Sequence, residues 1–221
     1  MNQTELIKKI TSEVMKELDN KHSCSSSSFG SNTIPVGVSV RHIHISQQDL
    51  EIMFGKGYQL TKRNELTQPG EFAANEVVVL VGPRLRSITN VRILGPLRSR
   101  TQVELALTDA IILGLRPPVR KSGDLDGSES LTLVGPKGSL TLKEGVIRAN
   151  RHIHMGPEDA RRFGVKNDQI VSVEVDGDKA LIFKNVQVRV CQGWKLEMHL
   201  DTDDANAAGI NCGTEARLIK E

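Results

Sequence analysis

From Ile34 onward the sequence is a succession of short apolar runs: VGVSV, EVVVLVG, ITNVRILG, QVELAL, SLTLVG, SLTL, IVSVEV, ALIFKNVQVRV and KLEMHL. Gly, Pro, Asn and Asp separate them. Runs of this length, with alternating polarity and turn-forming borders, predict many short strands and leave little room for helix, so the expected fold is mainly β, a barrel or sandwich. Aromatics are only 3% against 38% hydrophobic residues, so Val, Ile and Leu must build the core, and the β-branched members favour strands. Short helical turns fit where Ser46 can cap QQDLEIMFG, and where Pro157 and Gly164 can open and stop EDARRFG.

The amino end differs. MNQTELIKKITSEVMKELDN places Leu6, Ile7, Ile10, Val14, Met15 and Leu18 at helical spacing behind Thr4 as a cap, with Lys and Glu opposite. The Ser-rich stretch that follows, across residues 21–33, reads as a linker. Charged residues interrupt every apolar run here, so no signal peptide is expected. No segment approaches about 18 continuous apolar residues, so no membrane-spanning helix is expected either. Cys24, Cys191 and Cys212 are odd in number and far apart, which suits a reduced, intracellular protein, with Cys191 expected to be packed. A net charge of +2 without a basic block argues against nucleic acid as a partner.

Four of the six histidines lie in two copies of one tetrapeptide, RHIH, at Arg41–His44 and Arg151–His154. Each copy follows a strand and precedes a cap and a short helix, and VGP or LGP recurs at 81–83, 94–96 and 134–136, so the chain reads as two related β units. Residues i and i+2 of a strand share a face. His42 with His44, and His152 with His154, therefore form two-nitrogen clamps suited to zinc, while Ile43 and Ile153 turn into a core. A catalytic zinc wants a third protein ligand and an open position. Glu104 in TQVELAL and His199 in KLEMHL are the candidates; alone, the first also reads as a solvent-facing strand residue and the second as an interior histidine. His22 lies in the linker and is set aside. Arg98 and Arg100, in a Gly/Pro turn before Glu104, suit a phosphate or carboxylate, as do Arg41 and Arg151 unless they pair with nearby acids. There is no GxSxG, Walker A or strand-borne GxGxxG, so metal activation without an enzyme-bound intermediate is the expected chemistry.

These segments, together with VRILGPLRSRTQVELALTDAIILG, LRPPVRKSGDLDGS, GVIRANRHIHMGPEDA and LEMHLDTDDANAAG, closely resemble the phosphate propanoyltransferases of propanediol-utilisation operons, from about Ile34 to the end. The amino-terminal helix and linker resemble the peptides that deliver such enzymes into bacterial microcompartments. The resemblance implies two β-barrels with short capping helices, interleaved so that 34–41 joins 150–221 in barrel one and 42–149 forms barrel two. It implies reversible conversion of a short-chain acyl-CoA, propanoyl-CoA by name, and inorganic phosphate to acyl phosphate and CoA. It further implies two metals, usually zinc, one at His42, His44 and Glu104 and one at His152, His154 and His199. Arg98 falls at the phosphate-contacting position, and Arg98 with Glu104 are the expected catalytic residues. Residues 1–20 would carry targeting to the microcompartment lumen, and a homo-oligomer is expected. The competing readings are a zinc-dependent acyl-CoA thioesterase or cupin-like enzyme, and a non-catalytic compartment component. A cupin does not explain a duplicated clamp, and a scaffold has no use for open metal positions.

Overall fold

A computed structural model describes residues 32–219 of the chain; the helix expected over residues 1–20 and nearly all of the linker lie outside them. The described residues are dominated by strand. In chain order they are β1 (Thr33–Ser39), β2 (His42–His44), α1 (Gln47–Phe54), β3 (Lys62–Glu65), β4 (Phe72–Val81), β5 (Ser87–Gly95), β6 (Gln102–Glu104) and α2 (Leu107–Leu113). There follow β7 (Val119–Arg120), β8 (Glu129–Val134), β9 (Ser139–Ala149), β10 (His152–Met155), α3 (Pro157–Phe163), β11 (Ile170–Val175), β12 (Leu181–Val190), β13 (Glu197–Asp201), α4 (Thr202–Ala208) and β14 (Glu215–Ile219).

Hydrogen bonding closes these strands into two rings of six. One runs β1-β13-β10-β12-β11-β14. The other runs β4-β5-β2-β6-β9 and returns to β4 through β8, with β3 and β7 added outside it. Closure removes the exposed edges that an open sheet of this size would carry. β1, first in the chain, pairs in parallel with β13 near its end, Val36 opposite Met198 and Gly37 opposite His199. Each ring encloses its own aliphatic core. Ile153, Met155, Val173, Val186 and Val188 fill the first, and Ile43, Ile45, Leu80, Ile93 and Val103 the second. Alternation along β4, where Ala74, Val78 and Leu80 are buried, shows the two-residue period that defines which side faces inward. Packing is close at the end of β5, where Gly95 lies opposite Phe72: a Cβ on Gly95 would lie 2.2 Å from Cζ of Phe72.

The short helices pack onto the barrel cores, Leu50, Met53, Ala110 and Leu113 joining the second and Ala160, Phe163, Ala205 and Ala208 the first. Ser46 caps α1 by accepting a hydrogen bond from the Asp49 N–H at 3.2 Å, and Pro157 opens α3, which Gly164 ends at a φ of 68°. α2 was not marked in the sequence. Its cap is Ala106, which offers no side-chain oxygen, and Leu107, Ile111 and Ile112 are exposed, so it lacks both an N-terminal signal and an amphipathic stripe facing solvent with polar residues.

The repeat seen in the tetrapeptides is a repeat of structure. β2 pairs antiparallel with β6 as β10 does with β13, and α2 follows β6 as α4 follows β13. Arg41 reaches from the first clamp to Asp109 of α2 at 2.9 Å, and Arg151 from the second to Asp204 of α4 at 2.8 and 2.9 Å. Both arginines thus fasten a helix to its strand pair, the structural alternative to an anion-binding role.

Candidate metal centre

The strand period places the imidazoles of His42 and His44 on one face of β2, with ring centroids 5.0 Å apart. Antiparallel pairing with β6 then sets His42 opposite Glu104 and His44 opposite Gln102. Glu104 Oε2 lies 3.5 Å from His42 Nε2, and its Oε1 lies 3.9 Å from His44 Nε2. The second clamp is built the same way: β13 sets His199 opposite His152 and Glu197 opposite His154. The centroids of His152 and His199 are 4.9 Å apart and those of His154 and His199 4.6 Å. So the structure brings His42, His44 and Glu104 together in one group and His152, His154 and His199 in another. In each group the candidate donor atoms lie within 4.8 Å of one another.

Main-chain contacts select which nitrogen of the leading histidine is free. His42 Nδ1 lies 2.8 Å from the carbonyl of Val40, and His152 Nδ1 lies 2.8 Å from the carbonyl of Asn150. Each therefore turns Nε2 to the site, an orientation typical of ligating imidazoles. Other nitrogens there have no aligned partner: Nδ1 of His44, both nitrogens of His154 and Nε2 of His199 are buried without a hydrogen bond. Buried polar atoms left in that state are costly unless something else satisfies them. Two clusters of neutral nitrogen with a carboxylate fit a borderline divalent ion such as zinc.

The electrostatics favour the ligand forms. Burial, reinforced by the neighbouring His42, pushes His44 down to about 2. Burial, with His152 and His199 beside it, pushes His154 down to about 2, and burial with His199 lowers His152 as well. Burial alone would raise Glu104, but His42, His44, His152 and Arg98 outweigh it and hold the carboxylate ionised. Neutral imidazoles and an ionised carboxylate need shed no proton to take a cation at neutral pH.

Both groups open on one cavity of about 640 Å³ between the barrels. Arg98 lines it, its Nη1 donating to Ser122 Oγ at 2.9 Å while its backbone N–H donates to Ile45 O at 2.9 Å. Arg100 does not join it: that side chain is exposed and binds Asp126 at 2.8 Å and Glu144 at 2.5 Å. Cys191 is exposed rather than packed, because it sits in the turn leaving β12 rather than in the strand.

Four cavity residues, and Gln102 behind them, carried no marker in the sequence. Gln102 donates to Glu104 Oε1 at 2.5 Å and to Ser122 Oγ at 2.8 Å, and accepts from the Gly123 N–H at 2.7 Å. Ser122 thereby ties Arg98 to the first group. Arg189, opposite His154 across β10 and β12, lies over the Trp194 ring at 5.4 Å from its centroid, and that ring is 4.3 Å from His154. Glu197, two residues before His199 and so on the same face, places Oε2 2.9 Å from His199 Nε2 without lining up on a ring N–H. The period-2 rule would have found Gln102 and Glu197 from the neighbours of Glu104 and His199. Nothing local marks Ser122, Arg189 or Trp194.

The phosphate propanoyltransferase family model matches residues 35–211. A phosphate propanoyltransferase of Lachnoclostridium phytofermentans is 51% identical over 218 residues, covering 99% of each chain. One from Thermotoga maritima is 55% identical over 188 residues, 85% of this chain and 89% of its own. One from Priestia megaterium is 51% identical over 207 residues, 94% of this chain and 92% of its own.

Proposed function

This chain belongs to the phosphate propanoyltransferase family and is a phosphate acyltransferase, and from that premise we propose the substrate, the direction and the groups that act. The acyl donor is propanoyl-CoA, the acceptor inorganic phosphate, and the reaction runs both ways. A phosphate oxygen attacks the thioester carbonyl carbon, the C–S bond breaks, and CoA leaves as thiolate. The observation that carries this reading is that both donor groups and Arg98 face a single cavity.

His42, His44 and Glu104 would hold one divalent ion, and His152, His154 and His199 a second, zinc being the best match to the donors. Such ions supply a Lewis acid for the carbonyl and a soft acceptor for the thiolate. Arg98 orients the phosphate: Ser122 occupies one of its N–H groups and leaves the planar fork to face the anion. Glu104, kept ionised, is in turn held by Gln102 and Ser122, so neither it nor Arg98 must reorganise during the reaction. Trp194 and Leu94 give the cavity apolar wall that keeps water from the acyl carbon. Pocket volume sets the chain-length preference, each methylene counting for about 1–3 kcal/mol.

We further read residues 1–20 as a targeting helix for a microcompartment lumen, with shell or cargo as its partner and self-association through its apolar stripe. The support is the spacing of Leu6, Ile10, Val14 and Leu18. The enzyme would then act inside the compartment, as a homo-oligomer.

The deciding assay measures CoA release from acetyl-, propanoyl- and butanoyl-CoA, with and without phosphate, on protein of known zinc content. Phosphate-dependent release fastest with propanoyl-CoA, with acyl phosphate trapped by hydroxylamine, is expected. Release that ignores phosphate would make the enzyme a thioesterase.

A further inference from the structure

The two donor groups are corresponding corners of a repeated four-residue patch. In each, two histidines of one strand face two residues of its antiparallel neighbour: His42 and His44 face Glu104 and Gln102, and His152 and His154 face His199 and Glu197. Where the third corner is a carboxylate, the fourth is a neutral amide. Where the third corner is an imidazole, the fourth is a carboxylate. The exchange leaves each patch with one acid.

We infer that Glu197 is the carboxylate of the second cation position, the counterpart of Glu104 in the first. This rests on the two-ion reading of the cavity. A dication beside three imidazoles and the half-buried Arg189 would otherwise have no anion in its own patch. Glu197 is placed to serve. Its Oε2 lies beside His199 Nε2 at 2.9 Å, off the N–H direction, so no hydrogen bond occupies that buried nitrogen.

Two independent features hold the carboxylate there. Thr67, in the loop of the other barrel, donates its hydroxyl to Glu197 Oε1 at 2.9 Å. Gly37, opposite His199 on β1, leaves the space the side chain occupies: a Cβ at that position would come within 2.8 Å of both Cδ and Oε1 of Glu197. The same loop is pinned next to it, since the buried amide of Gln68 donates to the Lys195 carbonyl and accepts from the Lys195 N–H, both at 3.0 Å. A carboxylate on the surface of barrel one would need none of these provisions.

The test uses the full-length protein loaded with zinc. Metal content is counted, and a chromophoric chelator is titrated against wild type, Glu197→Gln, Glu197→Asp and Gly37→Ala. Wild type should release two ions. In Glu197→Gln one ion should be lost at a chelator concentration about 10–100-fold lower, as when a partner of a metal-bound imidazole is removed, while the other stays as firm as in wild type. Glu197→Asp should recover part of the difference, and Gly37→Ala, which keeps the charge but displaces it, should fall between. Two ions released by Glu197→Gln as in wild type, or both weakened together, would overturn the assignment. If Glu197→Gln does not fold, unchanged release in both other variants overturns it. Wild type holding fewer than two ions removes the two-ion reading and this inference with it; two ions in wild type with no change in the variants removes this inference alone.

Discussion

Replacing Arg98 by alanine should strike phosphate use and spare the rest. A guanidinium has five N–H groups, and in the structure one of the donations goes to Ser122 Oγ at 2.9 Å. The remaining fork can give a phosphate two parallel hydrogen bonds, each charged and each counting for about 1.5–3 kcal/mol. Their loss is thus about 3–6 kcal/mol, or roughly 10²–10⁴-fold in kcat/KM for phosphate at 1.4 kcal/mol per tenfold. Arg98→Lys keeps the charge without the fork and should regain only part of it. Initial rates are measured against phosphate at saturating propanoyl-CoA, with zinc counted in every sample. The half-saturating propanoyl-CoA concentration should hardly move. If Arg98→Ala kept its phosphate dependence within about threefold of wild type, two charged hydrogen bonds of this strength could not exist there, and the assignment of Arg98 would fall.

Glu104→Gln should cost the first group its only acid, so zinc analysis should find one ion firmly held instead of two and acyl transfer greatly reduced; undiminished zinc would contradict the donor set. Glu76 is buried and accepts from Tyr58 at 3.0 Å and from Thr61 through both its hydroxyl, at 2.7 Å, and its N–H. Burial would raise its carboxyl, but those donors prevail and lower it below 4.5. Its contribution is therefore present above the unfolded value and lost as pH falls through the folded one, so Glu76→Gln should cost about 1–3 kcal/mol at pH 7 in denaturant melts. That deficit should narrow below pH 4.5, and a constant deficit would refute the ionised state. Gly95→Ala forces a methyl into the Phe72 ring and should cost about 1–3 kcal/mol, a Tm loss of roughly 2–12 °C at 2–4 °C per kcal/mol. Deleting residues 1–20 should leave activity in solution intact and abolish co-purification with compartments; equal encapsulation would remove the targeting role.

The sequence exposed what depends on short-range periodicity. Alternation within RHIH shows that His42 and His44 share a face, and that Ile43 and Ile153 go to the cores, both fully buried. Caps at Ser46, Pro157 and Gly164 announce themselves through side-chain oxygen, fixed φ and absent Cβ. What stayed hidden depends on register between distant strands. That His154 faces Glu197 and Arg189 follows from pairing β10 with β13 on one side and β12 on the other, and no local pattern encodes it. Ser122 illustrates the same limit: it sits in a turn, and only the closed ring brings it to Arg98, Gln102 and Glu104. Arg100 shows the converse limit, while Arg41 and Arg151 take the acid-pairing alternative the sequence left open, since charge alone does not distinguish an anion site from partners such as Glu144, Asp109 or Asp204.

The pairing of β1 with β13 has a bearing on how the molecule is made. On a ribosome adding about 5–20 residues per second, β1 waits roughly ten to thirty seconds for its partner. Residues 42–149 can close their ring in that interval, because every strand of it has already emerged. The first histidine pair and Glu104 are then in place while the second trio still lacks His199. Barrel one shuts last, with its earliest strand as the waiting edge, and that closure also seats Gly37 against Glu197. The enzyme therefore cannot acquire its complete cavity before its final strands are synthesised, and one half of the centre is old when the other is new.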